Sequence, residues 1–163
     1  MNKFILLSLA ILASIGFSSC KKKDTTTTTS GTPSTYSNSF SYKKNGSSVN
    51  VTSITKTVVS VGGINYIAIA GNASNAALNL WINKNTATGT FPLEFVGSNY
   101  VAQFSTTSPM SMYNSVDNGT IVITKHDASG KIIEGSFQGT LYDDVAFPTD
   151  SVMITNGTFK VNY

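Results

Sequence analysis

Residues 119–142 read GTIVITKHDASGKIIEGSFQGTLY, and this stretch decides the fold. Thr120 to Asp127 is a β-branched run with no helical period. Asp127-Ala128-Ser129-Gly130 supplies turn residues, and Lys131 to Tyr142 returns as a second strand. On that return Ile133, Gly135, Phe137, Gly139 and Leu141 share one face, while Ile132, Glu134, Ser136, Gln138 and Thr140 share the other. A period of two sets one face against a core and the other against solvent. Two inward glycines beside Phe137 imply either a bend in the sheet or room for a facing aromatic.

The same rhythm runs outward in both directions. Downstream, Val152 and Ile154 occupy even positions, whereas Phe159, Val161 and Tyr163 occupy odd ones. Both sets reach one core only if a residue is inserted between them. Asn156-Gly157 is the natural place for that bulge, so the last strand is predicted to be kinked and its end paired. Upstream, Phe40 and Tyr42 alternate into an Asn45-Gly46 hairpin turn, with Val49 and Val51 beginning the return. Val58 to Val61 lead into a Gly62-Gly63 turn, and Ile64 to Ala70 are apolar on both faces, as a central strand would be. Phe91, Leu93 and Phe95 alternate inward around Pro92, which confines that strand to an edge or a bulge. Tyr100, Ala102 and Phe104 follow, then a loop from Ser105 to Ser111. The predicted fold is all-β: one antiparallel sandwich or open barrel of about nine to eleven strands over residues 37–163.

On Ala77 to Asn83, Leu78, Leu80 and Ile82 take the apolar face. Asn79, Trp81 and Asn83 take the other, so the chain's one Trp lies among amides. An aromatic in that setting suits stacking on a sugar ring or a peptide. The alternative is that a loop or a neighbouring strand covers it. Asn79, Trp81 and Asn83 are the candidate ligand-binding residues.

The first 36 residues have a different character. Lys3 precedes an apolar run from Phe4 to Phe17 that is too short to span a bilayer, which takes about 20 residues. It reads as the hydrophobic region of a signal peptide, ending in Ser18, Ser19 and Cys20. Lys21 to Tyr36 is polar and rich in Thr and Ser, the composition of a disordered tether. Fully extended, such a tether would reach at most ~50 Å.

Residues 17–20, FSSC, resemble the lipobox of bacterial lipoproteins, with Phe17 where Leu is usual. The resemblance implies a signal peptide over 1–19, cleavage before Cys20, and acylation of Cys20 as a membrane-lipid anchor. More than one acyl chain makes such an anchor stable. GTIVITKHD, KIIEGSF and ITNGTFKVNY further resemble the closing segments of small Bacteroidota lipoproteins that carry a C-terminal β domain of unknown function. That resemblance covers roughly Phe40 to Tyr163 and brings no catalytic residues with it. It implies a cell-envelope location, with the outer membrane expected; the basic Lys21, Lys22 and Lys23 after Cys20, in place of an acidic cluster, favour the periplasmic side over the cell surface. Asp24-Thr25-Thr26 and Asp150-Ser151-Val152 resemble the O-glycosylation motif of that phylum, which makes Thr25 and Ser151 candidate acceptors.

Charge and composition exclude more than they assign. The net charge of +3 belongs to the leader and to Lys21, Lys22 and Lys23. From Thr25 onward seven Lys balance seven acidic residues, and the chain has no Arg. Nucleic-acid recognition is not expected. The single His, His126, is expected at the surface near a hairpin tip, with Asp127 pointing the other way. Glu94 and Glu134 look outward, so neither a triad nor a carboxylate pair is in view. Asp143, Asp144 and Asp150 lack metal-loop spacing. No enzyme activity, metal or cofactor is expected. The predicted role is non-enzymatic: a lipid-anchored scaffold that binds a glycan, peptide or other ligand. The alternatives are an accessory of an envelope complex without a small ligand and, remotely, a hydrolase.

Overall fold

A computed structural model describes residues 36–143 and 150–163. Cys20 and Thr25 lie outside the described residues. Among the described residues ten strands build one antiparallel sheet: β1 (Ser39–Lys44), β2 (Ser47–Ser48), β3 (Ser53–Val61), β4 (Ile64–Ala73), β5 (Ala76–Asn83), β6 (Gly89–Pro92), β7 (Tyr100–Thr107), β8 (Met110–Asp127), β9 (Ile132–Asp143) and β10 (Ser151–Asn162). Their order is β2-β1-β10-β9-β8-β7-β5-β4-β3, with β6 paired to β8. Of the two expected architectures the sheet is the open one, curled into a half-barrel around its inner face.

The curl brings opposite parts of the sheet together over one core. Phe40 of β1 reaches across to β4, where a Cβ on Gly71 would lie 2.3 Å from its ring. Phe40 also packs on Phe137 at 5.5 Å between ring centroids, and Phe137 on Phe159 at 6.3 Å. Gly135 stands opposite Phe159, and a Cβ there would lie 2.1 Å from the Val122 carbonyl oxygen and 2.7 Å from the Phe159 ring. Of the two inward glycines of β9, then, Gly135 makes room for an aromatic. Gly139 does not: it faces Gly119 of β8, where the two backbones draw close.

The final strand is kinked at the expected place. Its register slips between Ile154 and Gly157, and the chain stays paired with β9 as far as Asn162. Val152, Ile154, Phe159 and Val161 are all buried. The left-handed residue is Asn156 (φ 51°) rather than its glycine neighbour. Asparagine tolerates that conformation through its short polar side chain.

The Asn45-Gly46 turn has positive φ at both positions, 48° and 84°, as a two-residue hairpin of this hand requires. The return strand is shorter than expected. β2 stops at Ser48; the Val49 N–H still donates to the Tyr42 carbonyl at 3.1 Å, and Val51 packs on the core outside any strand. Residues 105–111 form a hairpin, β7 turning into β8 at Ser108-Pro109, rather than a loop. β4 lies one strand in from the edge, not at the centre. Its outer face is covered at Tyr66, whose hydroxyl donates to the Ser98 carbonyl at 2.8 Å. Phe95 does not alternate inward. Leu93 still donates its N–H to the Gly119 carbonyl at 3.0 Å, but beyond it the chain leaves β8, and Phe95 is 59% exposed in the loop that follows.

β8 changes partners along its length. Met110 to Asn114 pair with β7, and Thr120 to Ile123 pair with β6, which has no other partner among the described residues and so meets the edge expectation for Pro92. At the branch the buried Ser115 hydroxyl accepts from the Ala102 N–H at 3.0 Å and donates to the Glu94 carbonyl, closing backbone groups the split ladder would leave open.

Two substitutions test this packing. Gly135→Ala drives a methyl into backbone and should lower stability by about 3 kcal/mol in chemical denaturation. Tyr42 is buried, and its hydroxyl has no hydrogen-bond partner among the described residues; burial pushes its pKa up to about 12. Tyr42→Phe removes the unpaired group and should raise stability by about 1 kcal/mol in the same assay.

Candidate functional site

Asn79, Trp81 and Asn83 all project from β5 on the face away from the core, because Leu78, Leu80 and Ile82 are fully buried on the other. Register defines their neighbours. Trp81 sits in a transverse row with Thr57, Ala68 and Val101. Asn79 sits in the next row, with Thr55, Ala70, Gln103 and Asn114. Asn83 stands beside Tyr66.

Trp81 is half-buried, and the Tyr66 ring meets it edge-on at 5.7 Å and 69°. Both readings of Trp81 are therefore partly realised: neighbours hold its ring, and part of it stays open. Its indole N–H has no hydrogen-bond partner among the described residues. The Asn79 amide is likewise uncommitted there. Gln103 is half committed: its Nε2 donates to Asn114 Oδ1 at 2.8 Å and to Met112 Sδ at 3.3 Å, and its carbonyl oxygen has no hydrogen-bond partner among the described residues. The small side chains of Ala68 and Ala70 set a low floor between Trp81 and the hydroxyls of Thr55 and Thr57. The strand residues of both rows are uncharged; the half-buried Glu94, bridged to Val101, stands at the end of the first.

Asn83 has a different task. Its Nδ2 donates to Asn99 Oδ1 at 2.7 Å, and its Oδ1 accepts from the Asn85 N–H at 2.9 Å. It holds the chain leaving β5 against the start of β7. The structure thus groups Asn79 and Trp81 with Gln103, Thr55 and Thr57, and leaves Asn83 as a structural bracket. Alternation along one strand found the first two. The cross-strand members needed a register that one strand does not carry.

His126 is a correction. It is not a free surface residue but half-buried at one end of the barrel. A register shift between Ile123 and Lys125 turns it to the same side as Ile133. Its Nδ1 meets the Thr86 carbonyl at 2.8 Å and its Nε2 meets the Tyr163 hydroxyl at 2.9 Å. A carbonyl only accepts, so Nδ1 carries a proton and donates to Thr86. Thr86 Oγ1 in turn shares a 2.7 Å hydrogen bond with the Tyr100 hydroxyl. Burial, and secondarily the charge of Asp127, raises the Tyr163 pKa and keeps that phenol protonated. The chain of contacts ties Tyr163 to the end of β8, the loop between β5 and β6, and the start of β7.

The carboxylates are occupied with structure as well. Asp127 Oδ1 accepts from the Gly130 N–H, the Ser129 hydroxyl and the Ser129 N–H, and these bonds lower its pKa. Glu134 accepts from the Tyr36 hydroxyl at 2.9 Å and lies 3.7 Å from the Lys125 ammonium. Asp150 accepts from the Tyr113 hydroxyl at 2.9 Å. Asp144 lies outside the described residues, and no group of three metal-ligating side chains occurs among the described ones. Ser151 is exposed at the first position of β10.

Two recesses lie elsewhere, on the outer face above β8, β9 and β10. One, of about 360 Å³, is lined by Thr120, Ser136, Gln138 and Thr158; the other, of about 540 Å³, by Asn118, Gln138, Thr140 and Thr155. Both open at register slips, the first beside Asn156 and the second beside Asp117 and Asn118. They are wells left by irregular pairing and lack an exposed aromatic. The Trp81 rows offer one.

Compared with protein-family models, with curated proteins and with solved structures, the chain matches none.

The division between bracket and open amide is measurable. Asn83→Ala should cost about 1 kcal/mol or more in denaturation, because it unpairs Asn99 and the Asn85 N–H. Asn79→Ala should leave stability unchanged.

Proposed function

We propose that this chain is a non-enzymatic, lipid-anchored protein of the bacterial cell envelope, held at the outer membrane through acylated Cys20 and facing the periplasm. Its β domain binds an uncharged ligand across the Trp81 rows. The observation that carries this reading is the uncommitted polar set beside a half-open indole: the Trp81 N–H, the Asn79 amide and the Gln103 carbonyl oxygen. Such a surface suits a ligand with one apolar face and a rim of hydroxyls or amides. A glycan fits first, and a peptide second. Ring stacking supplies contact area, while neutral donors and acceptors select against charged partners.

The reading of residues 1–36 supports the anchor, and so does the resemblance to small Bacteroidota lipoproteins. Thr25 and Ser151 remain proposed O-glycosylation sites, and Ser151 has the exposure that modification requires. The second reading, an accessory of an envelope complex, is favoured by one observation: β3 leaves a long strand edge unpaired among the described residues.

Glycan and peptide arrays probed with the protein test the first reading. Trp81→Ala should weaken binding by about 2 kcal/mol, roughly thirtyfold in Kd. Binding that survives Trp81→Ala undiminished, or no binding to either array, would sink it.

A further inference from the structure

The sheet ends on β3, and among the described residues no strand pairs with its outer edge. At the opposite end β2 has only two residues, too few to template a partner. β3 has nine, in unbroken register with β4. Exposed edges are ordinarily blunted by proline, bulges, shortness or charge. β3 has no proline and no bulge, and its one charge is Lys56, half-buried on the core side. Val58 and Val61 are 43% and 46% exposed. This is an edge suited to pairing.

Its sequence is also self-complementary. Two antiparallel copies with full overlap have their two-fold axis at the middle residue, Thr57. On the outer face Thr57 then meets Thr57 of the other copy, Thr55 meets Val59 and Ser53 meets Val61. On the inner face Ile54 meets Ser60 and Lys56 meets Val58. No like charges oppose, and the central pair is threonine on threonine, a favourable cross-strand match. We propose that two copies of this chain pair antiparallel through β3 about a two-fold axis at Thr57, forming one continuous sheet.

The placement of that axis bears on the candidate site. Thr57, Ala68 and Trp81 occupy one transverse row. Pairing at Thr57 extends this row across the axis into the second copy. The two indoles then stand in line on the same outer face, five strand spacings or about 24 Å apart. If the ligand reading above holds, the pair presents two sites to one extended ligand; the pairing itself does not depend on that reading.

Disulfide trapping in the full chain tests the register. Cys20→Ser makes any introduced cysteine the sole thiol. Cross-strand Cβ separations of about 5 Å are near the range a disulfide can bridge. Two thiols close to one disulfide, with two protons released and two electrons passing to copper–phenanthroline and oxygen. Thr57→Cys should yield a covalent dimer. Thr55→Cys and Val59→Cys should each stay monomeric alone and cross-link when mixed. Equal trapping at all three positions, or trapping at none, overturns the proposal. A strand supplied by the chain's own Thr25–Thr29 run would occupy the edge and leave every variant monomeric, which also overturns it. Val58→Lys sets a second lysine against Lys56 twice per interface. It should shift sedimentation from dimer to monomer with an unchanged circular dichroism spectrum. Trp81→Ala should leave the Thr57→Cys cross-link intact, so failure of the ligand reading is separable from failure of the pairing.

Discussion

β10 must bury Val152 and Ile154 in its first half and Phe159 and Val161 in its second, although a strand with a two-residue repeat would send one of those pairs into solvent. The conflict is resolved by one inserted residue, with Asn156 left-handed at the slip. Both neighbouring strands register the insertion: β9 between Gly139 and Phe137, and β1 between Lys43 and Ser41. Much of the core follows from it. Phe159 comes to rest against Gly135, Phe137 against Gly157, and β1 is re-aimed so that Phe40 reaches Gly71. Without the slip, the rings of β10 would face outward and Gly135 would leave a void.

The alternation of 119–142 and the parity change in β10 made the fold class and the kink legible, because both are properties of one strand's own period. The turns at Asn45-Gly46 and Gly62-Gly63 were legible for the same local reason: four consecutive-pair residues adopt positive φ there. What failed was non-local. Phe95 fits the phase of Phe91 and Leu93, yet the chain leaves β8 after Leu93, and no pattern within those residues says so. His126 appeared free because it lies close to a turn. A slip two residues earlier rotates it inward, and its partners Thr86 and Tyr163 are 40 and 37 residues away in sequence. The site divides in the same way. The shared face of Asn79 and Trp81 is written along β5. The contribution of Gln103, and the diversion of Asn83 to Asn99, depend on β7 lying next to β5.

The two faces of the sheet solve different problems. The inner face is filled with rings set on glycines, where shape is demanding and a methyl group is enough to disturb it. The outer face over β3, β4, β5 and β7 is neutral and low in relief, with alanines where bulk would be expected and amides in place of charges. Tyr66 and Asn83 brace one end of that face through Ser98 and Asn99, while Asn79 and Trp81 in the middle rows take no part in the bracing. Ser115 at the branch and His126 at the barrel end lie away from it.

The pairing of β1 with β10 joins the two ends of the described chain, as the contact between Ser41 and Thr158 across 117 residues makes plain. Loop closure over that distance is entropically costly and contributes to slow folding. On a ribosome the consequence is sharper. β1 is synthesised before every other strand of the sheet and its partner β10 after all of them, so its ladder stays open until β10 has emerged. The strand made earliest is therefore seated last, and the nascent domain passes through its whole synthesis as an incomplete sheet.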